Sequence, residues 1–510
     1  MGDHSSFFPP SRRTFLRQAS LAAAFGVTAA DLVAPGALAA QAPKAAPSRS
    51  AGPIRVRGRV RSAGAGVARV AVTDGQTVVQ TDRDGRFTLV ADGHQPFVYL
   101  SLPAGYEIPR NDTGTARFYQ PLVVRAADEA ELVFDLTRRA AGDERHTFLA
   151  LPDTQTEDAR DMALLHAETV PDIRQFVAGH DAPVFGVAVG DIMFDHLDLF
   201  PEYERAVREM GAPFFQVVGN HDLDFDARSA ELTVSTFMRH FGPPYYSFNL
   251  GAVHYVVLQD VLWHGTGYVG YVDERQLRWL EADLALVEKG RPVVVFLHIP
   301  ILGMRWKREG NARPSPGGSV NNRAALYERF EGHRVHVISG HTHENEHVFE
   351  GGLHEHVHGT TCGAWWSGPI CHDGTPAGYG VYEAHGEELR WTYKATGKPF
   401  DHQLRVYAPG SDATAPDELV ANVWNWDPKW SVEWVADGVP RGPMARRNGY
   451  DPLSIELHKG PELPARRPWV EPGRTDHLFY APVAPDVREV EVRATDRFGR
   501  VFSERWRRAA

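Results

Sequence analysis

The sequence predicts an α/β domain in the middle of the chain, flanked on each side by a small β-sandwich domain. Across residues 145–397, apolar β-prone segments alternate with amphipathic helical segments. Residues 54–138 and 398–510 instead show short runs of alternating apolar and polar residues, separated by turn residues. At 510 residues the chain is too long for a single hydrophobic core, so about three domains are expected.

The first 39 residues are typical of an export signal rather than of a folded domain. Arg12 and Arg13 precede a weakly apolar, alanine-rich stretch, and Ala37-Leu38-Ala39 offers a small-residue cleavage site. Paired arginines of this kind resemble those of twin-arginine signals, which carry folded proteins across a membrane. A disordered basic terminus is the alternative. We expect export, to a periplasm or another cell exterior, with a Pro/Ala/Ser-rich linker at residues 40–53.

Each flanking domain carries strand and hairpin signals. In residues 54–138, strand-like runs such as RVRGRV and RFTLVA are separated by Asp74-Gly75 and Asp84-Gly85, which favour tight hairpin turns. In residues 398–510, VEVRATDRFGRVFSERW predicts a hairpin, and the tryptophans of VWNWDPKWSVEW recur at strand-like spacing. Two β-sandwiches are the best interpretation.

The central region predicts a sheet covered by helices. The segment ERQLRWLEADLALVE places Leu277, Leu280 and Leu284 on one helical face, and LDLFPEYERAVREM precedes the next strand in the same way. In such folds, ligand-binding loops follow the carboxyl ends of the strands.

Five apolar segments of this region run into clusters of side chains that bind metals. They are TFLALPDTQ, PVFGVAVGDIMFD, FFQVVGNHD, PVVVFLHIP and VHVISGHTH. Between them they offer Asp153, Gln155, Asp191, Asn220, His221, His298, His341 and His343. Mixed nitrogen and oxygen ligands favour manganese, iron or zinc over magnesium or calcium. A carboxylate at a strand end, such as Asp191, can bridge two cations held about 3.5–4 Å apart.

The order Asp-x-Gln, Gly-Asp, Gly-Asn-His-Asp, His and Gly-His-x-His resembles that of the calcineurin-like metallophosphoesterases. The resemblance implies a four-layered α/β/β/α sandwich and two divalent metal ions. It implies hydrolysis of a phosphomono- or phosphodiester substrate by a metal-bridging hydroxide. The flanking segments resemble an exported bacterial subgroup with an N-terminal carboxypeptidase-regulatory-like domain and a C-terminal β domain.

The same resemblance implies a role for each motif residue. The first metal would be held by Asp153, Gln155, Asp191 and His343. The second would be held by Asp191, Asn220, His298 and His341. His221 would assist the leaving group, and Asp222 is a candidate for orienting its imidazole. The family more often has histidine where Gln155 stands, and Phe194 replaces the tyrosine of purple acid phosphatases, so a coloured ferric site is not expected.

Other residues near these motifs allow two interpretations each. Trp365 and Trp366 either wall a substrate pocket or pack in a hairpin. Asp195 either supports a ligand or caps a helix. His354, His356 and His358 alternate as on one face of a strand, where a third metal site is an option. The basic loop with Arg305, Lys307, Arg308 and Arg313 either meets a second phosphate or is solvated. Cys362 and Cys371 are equally consistent with a disulfide and with free thiols.

Composition limits the partners. The net charge of −11 argues against a duplex nucleic-acid binder, whose affinity comes from neutralising phosphates. After the signal, no stretch reaches the ~18 apolar residues of a membrane span, so no transmembrane segment is expected in the mature chain. The oligomeric state is not determined by the sequence. The rival hypothesis is a non-catalytic envelope- or glycan-binding protein on a degenerate phosphoesterase scaffold.

Overall fold

The computed structural model describes residues 52–123 and 129–509. The predicted signal peptide and most of the predicted linker therefore lie outside the described residues.

The N-terminal segment forms two small sheets. Its strands are β1 (Ile54–Ser62), β2 (Ala65–Gly66), β3 (Ala71–Thr73), β4 (Val78–Gln80), β5 (Arg86–Ala91), β6 (Phe97–Leu100), β7 (Tyr119–Pro121) and β8 (Glu129–Asp135). In the first sheet β1 pairs with β2 and β5 antiparallel and with β8 parallel; the second has the order β4-β3-β6-β7. Buried and exposed residues alternate along β5 and β8, and their inward faces join one apolar core. The segment is a β-sandwich, as predicted.

The central segment alternates strands with helices. Its strands are β9 (Arg145–Leu151), β10 (Val184–Val189), β11 (Phe214–Val217), β12 (Tyr246–Leu250), β13 (Val253–Val257), β14 (Val261–Trp263), β15 (Tyr268–Gly270), β16 (Pro292–Phe296), β17 (Arg334–Ser339), β18 (Glu346–Glu350), β19 (Leu353–Val357), β20 (Gly378–His385) and β21 (Glu388–Ala395). Its helices are α1 (Ala159–Leu164), α2 (Val170–Ala178), α3 (Phe200–Met210), α4 (Ser235–Phe241), α5 (Glu274–Leu284), α6 (Arg305–Arg308) and α7 (Arg323–Phe330).

Two mixed sheets form the middle of this domain. One has the strand order β11-β10-β9-β20-β21 and the other the order β12-β13-β16-β17-β19-β18. Within them, β9, β10 and β11 run parallel, and so do β13, β16, β17 and β19. The parallel strands are nearly continuous apolar runs because both of their faces are covered.

Three apolar cores define the layers. Phe148 and Phe185 of the first sheet pack against Tyr255 and Phe296 of the second, which places the two sheets face to face. The outer face of the first sheet packs on α1–α3, and the outer face of the second packs on α5 and α7. The predicted four-layered α/β/β/α sandwich is confirmed.

Helix α5 illustrates why the sequence folds in this way. Asp273 caps its first turn by accepting from the backbone N–H groups of Arg275 and Gln276. Leu277, Leu280 and Leu284 are all buried against the second sheet, as their spacing predicts.

The C-terminal segment is a second β-sandwich with one helix. Its elements are β22 (Arg405–Tyr407), β23 (Glu418–Asn422), β24 (Ser431–Ala436), β25 (Val439–Pro443), β26 (Ala445–Tyr450), α8 (Pro452–Lys459), β27 (Arg474–Pro482), β28 (Glu489–Thr495) and β29 (Val501–Arg507). The sheets have the orders β22-β23-β27-β26 and β25-β24-β28-β29, and one apolar core lies between them. The predicted hairpin is β28–β29, which turns at Gly499.

Across residues 52–123 and 129–509, none of the helices combines the length and the apolar character that crossing a membrane requires.

Candidate metal centre

The predicted metal-binding motifs follow the carboxyl ends of five parallel strands. Asp153 comes two residues after β9, Asp191 two after β10 and Asn220 three after β11. In the second sheet, His298 follows β16 and His341 follows β17, each by two residues. Since the two sheets lie face to face, these loops converge at one edge of the sandwich.

The backbone at this edge is strained in the way that functional sites often are. In the motif segments themselves, six non-glycine residues adopt left-handed φ angles between 39° and 71°, namely Asp153, Gln155, Asp191, Asp195, His341 and His343. Glycines allow the loops to approach closely. A Cβ atom at Gly219 would overlap Asp191, and one at Gly340 would overlap the carboxylate of Asp153. The glycines of the motifs therefore serve the contact between loops.

Asp191 lies at the middle of the cluster. Its Oδ2 is 3.2 Å from Nε2 of His298 and 3.4 Å from Nε2 of Gln155. Nε2 of His298 is also 3.1 Å from Oδ1 of Asn220. Ligand atoms of Asp191, His298 and His341 all lie within 4.8 Å of one another.

Asp153 and His343 complete the group on the other side. Oδ1 of Asp153 is 3.6 Å from Nε2 of His343, and its carboxylate accepts the backbone N–H of His341 at 3.0 Å. The structure thus brings together all seven predicted metal ligands, with Asp191 between the two sets. Their assignment as ligands stays a prediction.

Each histidine of the cluster has one ring nitrogen against a backbone carbonyl. Nδ1 of His298 lies 2.9 Å from the oxygen of Val189, and Nε2 of His341 lies 2.9 Å from that of Gly317. Nδ1 of His343 lies 3.2 Å from the oxygen of Gly363. A carbonyl can only accept, so each ring donates there, and its other nitrogen faces the cluster, where it can bind a metal once it carries no proton. This is the arrangement that metal-binding histidines use.

Two buried atoms of the cluster lack a hydrogen-bond partner among the described residues: Oε1 of Gln155 and Nδ1 of His341. Buried polar atoms are rarely left unpaired, because their desolvation is then not compensated. Both atoms are electron-pair donors, and both belong to predicted ligands. The donor set therefore fits a pair of cations.

The buried negative charges of the cluster also favour the binding of cations. Burial, together with the charge of Asp191, raises the pKa of Asp153 to about 8. Burial alone would lower the pKa of His298, but the charge of Asp191 and the hydrogen bond to it raise that pKa to about 10. Burial lowers the pKa of His341 to about 3, which keeps this ring neutral. Two carboxylates buried this deeply need positive charge beside them, and divalent ions supply it.

His221 is oriented by a different residue from the one predicted. Its Nδ1 lies 2.7 Å from Oδ1 of Asp195, whereas the carboxylate of Asp222 accepts the backbone N–H groups of Ile192, Met193 and Gly219. The prediction that Asp222 orients the imidazole is therefore wrong. Asp222 instead holds the loops that carry Asp191 and Asn220.

The environment of His221 favours its protonated form. Burial lowers the pKa of His221, but the charge of Asp191 and the hydrogen bond and charge of Asp195 raise it above its ordinary value. The backbone N–H of His221 donates to Oδ1 of Asp191 at 2.8 Å, which ties the histidine to the centre. The ring of Phe194 packs on it at 4.5 Å.

Aromatic side chains line one side of the centre. The ring of Trp365 stacks on that of His343 with centroids 3.9 Å apart, and Trp469 contacts Trp365 edge-on at 4.9 Å. Trp469 is 52% exposed and belongs to the C-terminal domain, in the loop between α8 and β27. Trp366 is buried, and its indole N–H donates to the oxygen of Thr154. One tryptophan of the pair thus borders the site and the other packs in the core.

The same C-terminal loop is fixed to the central domain by arginines. Nη2 of Arg467 lies 2.5 Å from Asp161 and 2.8 Å from Glu157, and Nη1 donates to the oxygen of Trp365. This anchor holds the loop beside Trp365. No local pattern in the sequence reveals it, because the partners of Arg467 lie 102 to 310 residues away in the chain.

Within the basic loop after β16, Lys307 and Arg313 are exposed, as the solvated alternative predicts, whereas Arg308 departs from both of its predicted roles. Arg308 is buried and paired with Glu344 and Glu346, which lie one and three residues after His343. Its Nε also donates to the oxygen of Arg474 in the C-terminal domain. Arg308 is therefore neither solvated nor free to bind phosphate; it joins the last metal motif to the C-terminal domain.

Cys362 and Cys371 are free thiols, and both are buried. Burial raises the pKa of each of them. Their low thiolate content argues against a nucleophilic role.

Three family models match most of the chain. The model described as "Calcineurin-like phosphoesterase" matches residues 146–345. The models described as the "N terminal" and the "C terminal of Calcineurin-like phosphoesterase" match residues 54–139 and 355–502.

Curated relatives match about a third of the chain. A serine/threonine-protein phosphatase CPPED1 of Pongo abelii is 27% identical over 173 residues, covering 32% of this chain and 54% of that protein. The human protein of the same name is 29% identical over 143 residues, covering 28% and 44%. The chain spans about half the length of these relatives. Among solved structures, a dimetal phosphatase from Danio rerio aligns with 16% identity and a TM-score of 0.34, covering 49% of this chain and 97% of that one.

Proposed function

We propose that this chain, which is a calcineurin-like phosphoesterase with the N- and C-terminal companion domains of that family, hydrolyses phosphoric monoesters or diesters at a centre of two divalent metal ions. The observation that carries the proposal is the convergence of seven nitrogen and oxygen donors around the carboxylate of Asp191. The unpaired buried atoms of Gln155 and His341 support it.

The donors divide into two sets that share one residue. One ion would be held by Asp153, Gln155, Asp191 and His343, and the other by Asp191, Asn220, His298 and His341. Their mixture of imidazole, amide and carboxylate favours manganese, iron or zinc. When bound, such ions polarise phosphoryl oxygens and provide a nucleophilic water at neutral pH.

His221 is the residue that we assign to the leaving group. Oδ1 of Asp195 accepts a hydrogen bond from Nδ1–H, so Nε2 is the ring nitrogen that can deliver a proton to a departing oxygen. The charges of Asp191 and Asp195 outweigh burial and keep the imidazole protonated more readily than in water. A positioned acid of this kind contributes about 10²- to 10⁴-fold to a rate.

The leaving group meets an aromatic surface in this proposal. Trp365 stacks on His343, and the exposed Trp469 packs against Trp365. Aromatic faces pack well against flat or apolar groups, such as an aryl ring, a nucleobase or a sugar face. Trp469→Ala is expected to raise KM for 4-nitrophenyl phosphate about fivefold, since one such contact contributes about 1 kcal/mol. Glycerol phosphate, which has no flat group, should be unaffected; equal effects on both esters would refute the aromatic contact.

The enzymatic proposal is tested by phosphate release. Purified protein loaded with manganese, iron or zinc is assayed on 4-nitrophenyl phosphate and on bis(4-nitrophenyl) phosphate, which separates monoester from diester preference. Asp191→Asn should abolish turnover, because both ions lose their shared ligand. Asp181→Asn, at an exposed aspartate before β10, is the matched control and should retain full activity. Equal activity of these two variants would refute the proposal.

The rival is a binding protein whose central domain is only a scaffold. In that case the purified chain would contain no stoichiometric pair of transition ions and would release no phosphate from any ester. The full set of donors around Asp191 favours the enzyme.

We also propose export by the twin-arginine route, on the basis of the paired arginines near the N-terminus. Cell fractionation of wild-type protein and of an Arg12→Lys/Arg13→Lys variant tests this. The variant should accumulate in the cytoplasm. An unchanged distribution would contradict the route.

A further inference from the structure

A second group of metal-binding side chains lies within the second sheet, away from the five motif loops. It consists of four histidines on neighbouring strands: His336 in β17, His347 in β18, and His354 and His356 in β19. In the strand register, His336 pairs with His354, and His347 pairs with His356. Directly paired residues point to the same face of a sheet, so all four imidazoles share one face.

The rings are close enough for their nitrogens to share a ligand. Nδ1 of His336 is 3.0 Å from Nε2 of His356, and Nδ1 of His347 is 3.1 Å from Nε2 of His354. The rings of His354 and His356 have centroids 3.9 Å apart. His336, His354 and His356 each offer a ring nitrogen within 4.8 Å of the other two.

Hydrogen bonds within the cluster leave part of it unsatisfied. Nδ1 of His354 and Nδ1 of His356 have no partner in the part of the chain that the structure describes. His354 is 6% exposed and His356 is fully buried. Apolar side chains would fill this space at less cost than imidazoles with unpaired nitrogens. Burial lowers the pKa of all three of these rings, that of His336 to about 4, so they are neutral and able to bind a metal.

The surroundings provide a support for the cluster and a path to it. Nε2 of His347 donates to Oδ1 of Asn425 at 3.0 Å, which orients the fourth imidazole. Trp391 covers His354 and His356 at 5.1 Å and 4.7 Å. An open groove of about 610 Å³, lined by His336, Phe349 and His354 among others, leads to the cluster from solvent.

The nearest positive charges do not exclude a cation. Arg497 lowers the pKa of His336 and His354, but its guanidinium is paired with the buried carboxylate of Asp427 at 2.7 Å. Arg334, at the groove, is paired with Glu387 at 2.5 Å. Both arginines thus carry their own counter-charge.

We propose that His336, His354 and His356 bind one further transition-metal ion, separate from the two-metal centre. Three imidazoles without a carboxylate suit zinc, copper or nickel and exclude a calcium or magnesium site. His347 is a positioning residue that acts through His354. This site does not depend on the phosphoesterase activity.

The experiment counts zinc ions per chain in the full-length protein, by titration calorimetry and by metal analysis after dialysis. His336→Gln and His354→Gln should each bind one zinc ion fewer than wild type and should keep wild-type turnover of 4-nitrophenyl phosphate. His333→Asn is the matched control, because His333 lines the same groove outside the cluster. It should bind as many zinc ions as wild type.

Two results would overturn the proposal. One is an unchanged zinc count in both cluster variants. The other is a lost ion accompanied by lost turnover, which would assign that ion to the two-metal centre. If both glutamine variants fail to fold, Asp191→Asn protein decides the matter. The melting temperature of this variant should still rise when zinc is added. With copper, the variant should show the spectrum of a copper site with several nitrogen ligands. No response to either metal would refute the site.

Discussion

Replacing Gly190 by alanine tests whether turnover depends on the packing around the proposed two-metal centre rather than on the stability of the fold. Gly190 lies directly before Asp191 and has a φ of 81°. A Cβ atom there would lie 2.6 Å from Cγ and 2.7 Å from Cβ of His298. Carbon atoms in ordinary contact are about 3.5–4.0 Å apart, so the imidazole would have to move by roughly 1 Å. That movement would stretch its hydrogen bond to the oxygen of Val189.

The substitution has two free-energy costs in the folded state and one effect on the rate. A left-handed backbone costs alanine about 1–2 kcal/mol, and forcing a methyl group into a packed site costs about 1–3 kcal/mol. A displacement of about 1 Å at a reacting centre lowers a rate about 10²-fold. We therefore expect Gly190→Ala to lower kcat/KM for 4-nitrophenyl phosphate about 100-fold and to weaken binding of the ion beside His298.

The matched control is Gly290→Ala. Gly290 has a φ of 86°, and no atom lies within 4 Å of the position that its Cβ would take. This variant carries the backbone cost without the overlap, so it should keep turnover and metal content near those of wild type. Both variants are measured for kcat/KM, metal content and melting temperature. Equal kcat/KM and metal content in the two variants would refute the reasoning.

Three further predictions concern other parts of the molecule. Asp195→Ala should lower kcat about 10²-fold with little change in metal content, because His221 loses its hydrogen-bond partner. Asp222→Ala should instead lower the melting temperature, because three buried N–H groups lose their acceptor. Burial lowers the pKa of His146 to about 4, so protonation favours the unfolded chain, and stability falls as the pH drops below about 6.5. By pH 5 this residue should cost about 2 kcal/mol, and urea denaturation at pH 7.5 and pH 5 should show a smaller loss in His146→Gln. Arg308→Met removes the buried guanidinium that pairs with both Glu344 and Glu346 and should lower the free energy of unfolding by about 3–5 kcal/mol. An effect below 1 kcal/mol would mean that this ion cluster contributes no more than an exposed pair.

Much of the fold could be predicted because local patterns carry it. Helix α5 follows from the spacing of Leu277, Leu280 and Leu284 and from a capping aspartate. The ends of the parallel strands could be recognised because an apolar run stops at a polar side chain, as at Asp191 and His298. A buried strand ending in a carboxylate or an imidazole has few explanations other than a shared polar site.

The contacts that could not be predicted join residues far apart in sequence. Asp222 is next to His221 in the chain and Asp195 lies 26 residues before it. Only the geometry shows that the distant Asp195 meets the imidazole while Asp222 accepts backbone N–H groups. Trp469 and Arg467 belong to another domain and reach the centre through a loop without regular structure. Such contacts have no local signature, because they depend on how two domains pack.

The histidines of the second sheet show the same limit. Their alternation in β19 predicts a shared face for His354 and His356, but His336 and His347 join them only through the pairing of three strands. His358, which continues the alternation, bonds to Tyr382 instead.

Anomalous X-ray diffraction from crystals of the manganese-loaded protein can locate the ions themselves. We predict two peaks about 3.5–4 Å apart, both within bonding distance of the carboxylate of Asp191, one beside Asp153 and His343 and the other beside Asn220 and His298. The absence of a peak at Asp191, or a single ion bound elsewhere in the central domain, would contradict the two-metal assignment.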